Sequence, residues 1–97
     1  MIVRIVKMTF REEEIAAFQE LFNDRKHLIR NVEGCTHLEL WQDKSNPSLF
    51  FTYSHWLSET YLNNYRSSPF FLDTWTLTKQ KFATKAEAWT VELIHQL

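Results

Sequence analysis

Glycine occurs once in the 97 residues, at Gly34, and cysteine once, at Cys35. One glycine cannot build the glycine-rich loops that lay backbone N–H groups against a phosphate, which excludes the common nucleotide-binding fingerprints. The G-x-S-x-G turn that exposes a nucleophilic serine is absent as well, which argues against serine hydrolysis. A lone cysteine forms neither an internal disulfide nor a cysteine metal cluster, and its simplest compartment is a reducing cytoplasm. No apolar run approaches the roughly 20 residues of a membrane span. The opening "MIVRIVKMTF" carries Arg4 and Lys7 inside its apolar stretch, so neither a signal peptide nor an anchor is expected. An excess of positive charge is also missing. Eleven basic and twelve acidic residues leave a formal charge of -1, with no stripe to neutralise phosphates, so nucleic acid is not the favoured partner. His27, His37, His55 and His95 fall on four separate elements, none with a second histidine or a cysteine at local ligand spacing, and no metal site is expected.

What the chain does contain is the composition of an ordinary globular domain, 44% hydrophobic and 24% charged, and its length suits a single domain over 1–97. Residues 2–9 are β-branched and apolar and predict a strand. Thr9 and Glu12 match a capping box, with "EEE" at 12–14 placing negative charge at a helix start. Ile15, Phe18, Phe22 and Ile29 then recur at helical spacing to about Asn31. Gly34 ends that region. "CTHLELWQD" alternates as a strand, with Cys35, His37, Glu39 and Trp41 on one face and Thr36, Leu38 and Leu40 on the other. "DKSNPS" is a turn, and "LFFTYSHW" pairs back as a hairpin. Ser58 caps a second helix, broken near Pro69 and continuing to about Lys79, and residues 88–94 form the last strand.

The order strand, helix, strand, strand, helix, strand predicts an α+β fold of the ferredoxin-like, split βαβ type: a four-stranded antiparallel sheet with two helices on one face. Two helices cover one face only. Yet both faces carry apolar residues, Ile2, Val6 and Met8 against Val3 and Ile5, and Phe50 and Trp56 against Leu49, Phe51 and Tyr53. The uncovered face therefore predicts a two-fold homodimer packed sheet to sheet, a dimeric α/β barrel.

Two groups of side chains suggest chemistry. His37 and Glu39 leave one face of a strand, with Trp41 next in the row, an arrangement in which a carboxylate orients a basic imidazole. The plain alternative is a polar edge strand facing water, and it applies equally to Tyr53 and His55. The second group is "YLNNYRSSPFFLDTW", residues 61–75. Tyr61 and Tyr65 are four apart on a helix, and Phe71 and Trp75 repeat that spacing beyond the break. Core packing accounts for most of these rings, but Tyr65 and Trp75 carry an O–H and an N–H that want partners, and the break at Pro69 leaves room for a cleft between helix and sheet.

"GCTHLELWQD" followed by "LFFTYSHWLSETYLNNYRSSPFF" resembles the antibiotic biosynthesis monooxygenase family, with its glycine-cysteine strand, its aromatic strand ending in tryptophan and its Ser-Pro-x-Phe motif. The resemblance implies a dimeric α+β barrel. Among such proteins are oxygenases that use dioxygen without metal or flavin, haem-degrading enzymes and small-metabolite isomerases. Many members place histidines where this chain has Tyr65 and Phe70, so the family's usual proton acceptors are missing. The haem degraders use a first-strand asparagine, a tryptophan at the position of Tyr65 and a histidine ligand at that of Trp75, and haem chemistry is disfavoured here.

The resemblance thus leaves a cofactor-independent monooxygenase acting on a small aromatic or quinol-type molecule and dioxygen. Tyr65, Trp75 and His37 are its expected catalytic residues, with Phe71, Tyr61, Tyr53 and Asn64 lining the substrate. The other open readings are a non-catalytic dimeric domain that binds a small apolar metabolite, and an isomerase.

Overall fold

The computed structural model describes residues 1–97. Its elements run β1 (Ile2–Thr9), α1 (Ile15–Arg30), β2 (Cys35–Gln42), β3 (Leu49–Trp56), α2 (Glu59–Arg66), α3 (Pro69–Lys79) and β4 (Glu87–Val91). The strands form one antiparallel sheet in the order β2-β3-β1-β4, so the α+β fold and the four antiparallel strands expected from the sequence are present, with β1 and β3 central.

Three local expectations change. Thr9 and Glu12 do not form a capping box. Thr9 stays in β1, where its carbonyl accepts from the Ala83 N–H at 2.8 Å, and Phe10 remains extended, bonded to Ser48 O and bridged to Phe82. Tertiary pairing at both sides of the strand end therefore outweighs the local cap, and Glu12–Glu14 form only a 3-10 turn before α1. The second helix is two helices, making three in all. Ser67 closes α2, and Ser68 restarts the chain by accepting the Phe71 N–H, with Pro69 at the first turn, where its missing N–H costs nothing. Ser58 caps α2 as its spacing predicts. The last strand ends at Val91, because pairing to β1 stops there.

A fourth difference moves a side chain across the sheet. The β2–β3 register shifts between Cys35 and His37, so that Cys35 pairs with Trp56 and His37 with His55. The extra residue breaks the period of two, and Cys35 turns to the helix side to pack with Trp56 and Leu62. His37, Glu39 and Trp41 remain on the opposite face.

All three helices cover the same side of the sheet. The core there has two centres. Met8, Phe10, Phe18 and Phe50 form one, with Phe10 and Phe18 stacked at 4.0 Å, and Cys35, Trp56 and Leu62 form the other. Gly34 links α1 to β2 with φ +89°, and a Cβ there would sit 2.3 Å from Cβ of Tyr61. That close approach, and the positive φ, require glycine.

Candidate functional site

Between the two core centres the helices and sheet do not meet fully, and a cavity of about 330 Å³ remains. That volume lies at the small end of the range for small-molecule sites. Its floor is the helix-facing side of the sheet, with Arg4, Val6 and Met8 of β1 and Thr52, Ser54 and Trp56 of β3. Its wall is an aromatic series. Trp56 stacks on Tyr65 at 5.2 Å, Tyr65 meets Phe71 edge-on at 5.0 Å, and Phe71 stacks on Trp75 at 6.0 Å. Trp75 then meets Phe82 at 5.6 Å, which joins the Phe10 core. The break between α2 and α3 lets one row of rings turn a corner around Pro69.

The structure brings Tyr65, Phe71 and Trp75 together at the cavity. It does not bring the other expected site residues there. Asn64 is exposed on α2. Tyr61 packs beside Cys35 and Trp56 under Gly34, one of the tight contacts of the core. His37 and Tyr53 lie on the far face of the sheet, since they alternate with Leu38, Thr52 and Ser54, which line the cavity. Sequence reasoning missed Arg4. The signal was a lone cation in the row Ile2, Arg4, Val6, Met8, three of whose members are apolar.

Chemically the lining is mostly hydrophobic, and it holds neither a carboxylate nor an imidazole, lysine or cysteine. Its only charged members are Arg4 and Arg66. The Tyr65 phenol is pushed far up from its ordinary value by burial, and further by the charge of Cys35, so it stays protonated and serves as a donor. Burial likewise raises the Cys35 thiol, which leaves it unreactive. Trp56 is locked from beneath, its indole N–H donating to Ser54 Oγ at 3.0 Å. The hydrogen bonds made by side chains of the protein include none from the Tyr65 hydroxyl or the Trp75 indole N–H, which leaves both donors for a bound molecule.

The far face holds a separate polar and aromatic group. His37 Nε2 hydrogen-bonds Glu39 Oε2, and the Trp41 indole donates to Glu39 Oε1 at 2.6 Å. These two hydrogen bonds hold the Glu39 carboxyl below its ordinary value. Trp41 stacks on Tyr53 at 4.7 Å, and His55 lies 4.9 Å from both His37 and Tyr53. His55 Nε2 is buried without a partner, and burial lowers the pKa of this imidazole. No three His, Cys, Asp or Glu side chains converge as metal ligands anywhere in the protein, and no helix is long and apolar enough to cross a membrane.

Solved structures share this architecture across nearly the whole chain. A crystal structure described as antibiotic biosynthesis monooxygenase matches with a TM-score of 0.91 at 16% identity, over 98% of this chain and 100% of that one. Rv0793 from Mycobacterium tuberculosis matches at 0.88 and 15%, over 98% and 96% of the two chains. A variant of SnoaB, a cofactor-independent oxygenase from Streptomyces nogalater, matches at 0.88 and 14%, over 99% and 95%. Identities this low establish a shared fold and not a shared reaction. No curated protein matches the sequence. The family model for antibiotic biosynthesis monooxygenase matches residues 1–76, which takes in β1 through Trp75 and so every aromatic residue that lines the cavity. The chain therefore belongs to the antibiotic biosynthesis monooxygenase family.

Proposed function

We propose that the protein is a cofactor-independent monooxygenase that oxidises a small aromatic, quinol-type molecule with dioxygen in the cavity between helices and sheet, and that it works in the cytoplasm as a homodimer. The observation that carries this reading is the aromatic wall of Tyr65, Phe71 and Trp75 around an apolar space, with two hydrogen-bond donors unused. A hydroxylated ring that loses its proton becomes electron-rich enough to reduce dioxygen itself. One oxygen atom enters the ring, the other leaves as water, and the four electrons come from the substrate, which ends as a quinone. The protein's part is to hold the ring flat against Phe71 and Trp75, to exclude bulk water, and to donate hydrogen bonds from Tyr65 and Trp75 to the oxygen that bears the developing charge. His37, on the far face, takes no part in that scheme.

A second reading rests on the same lining. It contains no general base, which favours a domain that binds a small apolar molecule without converting it. Oxygen uptake separates the two. The metal-stripped protein is mixed with hydroquinones, naphthoquinols and polycyclic phenols against protein-free controls. Uptake in proportion to substrate, reduced in Tyr65→Phe and Trp75→Phe, is expected of the oxygenase. Binding of the same compounds with no uptake above control would select the binding domain, and conversion without oxygen would select an isomerase.

A further inference from the structure

Arg4 and Arg66 are the unexplained groups of the cavity. Arg4 projects from the middle of β1 into an otherwise apolar row, half-buried, and its one hydrogen bond is to the neutral Thr90 hydroxyl at 2.9 Å. Arg66, an exposed residue in the last turn of α2, stands at the rim of the same cavity and makes no salt bridge. The helix dipole favours a cation at that position, which accounts for Arg66 taken alone. It does not account for Arg4, nor for two like charges set beside one apolar space. Their proximity is felt electrostatically, since burial and the charge of Arg66 both lower the pKa of Arg4. A half-buried cation without a counter-charge is costly, and no carboxylate of the lining supplies one.

We infer that the molecule this cavity takes is an aromatic anion, its carboxylate or ionised hydroxyl held at the Arg4 and Arg66 end and its rings lying against Tyr65, Phe71 and Trp75. The inference rests on the cavity being the ligand site and adds the charge class of the ligand. It also replaces the missing base. Two guanidinium groups favour the ionised form of a bound hydroxyarene, so its proton passes to water at the mouth and no protein side chain has to accept it. A guanidinium also presents paired donors that match a carboxylate or an oxyanion, which a lysine in its place would not.

A matched pair of fluorescent probes tests this. N-phenyl-1-naphthylamine is neutral, and 8-anilino-1-naphthalenesulfonate is the same skeleton with one anionic group. Both are titrated into the full chain and into Arg4→Gln, Arg66→Gln and Arg66→Lys variants, with Thr52→Trp filling the cavity as a site control and circular dichroism confirming the fold. The expected result is that the anionic probe binds at least about tenfold tighter than the neutral one. Each glutamine variant should erase most of that preference while leaving the neutral probe within about twofold, and Arg66→Lys should retain part of it. Equal affinity for the two probes, or arginine variants that weaken both alike, would overturn the anion assignment while leaving the cavity as a ligand site. Binding of both probes that is untouched in Thr52→Trp, or no binding of either, would overturn the cavity itself as the site and the inference with it.

Discussion

Trp56 and Tyr65 lie face to face, 5.2 Å apart and 23° from parallel, so that the last residue of β3 fixes a ring in the last turn of α2. Trp56 is 1% exposed and tied to Ser54, which makes it the rigid member of the pair. Tyr65 is the one that can present its hydroxyl to the cavity. Tyr65→Phe keeps the stack and removes only the O–H. We expect its thermal midpoint to stay within the equivalent of about 0.5 kcal/mol of the parent, while oxygen uptake on a hydroxyarene falls about a hundredfold, the scale for loss of one oxyanion donor. Tyr65→Ala removes the ring and should cost about 3 kcal/mol in chemical denaturation. A Tyr65→Phe variant with full oxygen uptake would take the hydroxyl out of the proposed mechanism.

Gly34 and Tyr61 make the second exacting contact. At φ +89° a side chain is strained by about 1 kcal/mol, and a Cβ 2.3 Å from Cβ of Tyr61 meets a part of the side chain that cannot swing away. Gly34→Ala should therefore lower unfolding free energy by about 3 kcal/mol in urea, with the denaturant slope unchanged. A loss below about 1 kcal/mol would mean that the turn into β2 shifts freely to admit the methyl group.

Much of the architecture was legible because its signals are local and periodic. β3 is bounded by "NPS" and by the Ser58 cap, and the break at Ser68–Pro69 is written in the residues that make it. The failures arose where pairing partners distant in sequence decide the outcome. Thr9 looks like a helix cap until Ala83 claims its carbonyl. Cys35 looks like a neighbour of His37 on one face until a bulge moves it across the sheet. The candidate site divided in the same way. Tyr65, Phe71 and Trp75 sit on helices whose spacing puts them on one side, and all three line the cavity. Arg4 was passed over, because a charge in a strand gives no sign of which face the helices cover. The strand alternation of His37 likewise does not tell that it faces away from the helices.

Acid should weaken the protein in two stages. The His55 imidazole has its pKa lowered by burial, and next by the nearby His37, so the folded state resists a proton that the unfolded chain accepts at the ordinary value of 6.5. Its contribution is complete above that pH and is lost as pH falls below it. Glu39, held down by its bonds to His37 and Trp41, contributes above the ordinary value of 4.5 and loses that contribution as pH falls further. The groups facing His55 are His37 and Glu39 from β2 and Val3 from β1, with Tyr53 on its own strand. Thermal midpoints should thus fall between pH 7 and 5 and fall again below pH 4.5. In His55→Phe the first decline should flatten. An unaltered first decline in that variant would assign it to another group.

The face that carries His55 also sets the last prediction. Opposite the helices, Ile5 pairs with Tyr53 and with Trp89, and Val3 with Val91, while Phe51 stands next to Trp41 across the sheet. Trp41, Trp89 and Val91 are 41%, 44% and 40% exposed, so a broad surface of aromatic and aliphatic side chains, with Lys7, Glu87, His37 and Glu39 set among them, lies open where no helix reaches. A monomer rarely leaves such a surface in water, and a second copy presents the same pattern in reverse under a two-fold axis. Sedimentation equilibrium at micromolar concentration should give twice the chain mass. Ile5→Lys sets a charge at the centre of that face without touching the cavity, and it should yield a folded monomer with the neutral naphthyl probe still bound. A parent protein that sediments as a monomer would remove the dimer. A monomeric variant that loses the probe would show instead that pairing of the sheets shapes the cavity on their other side.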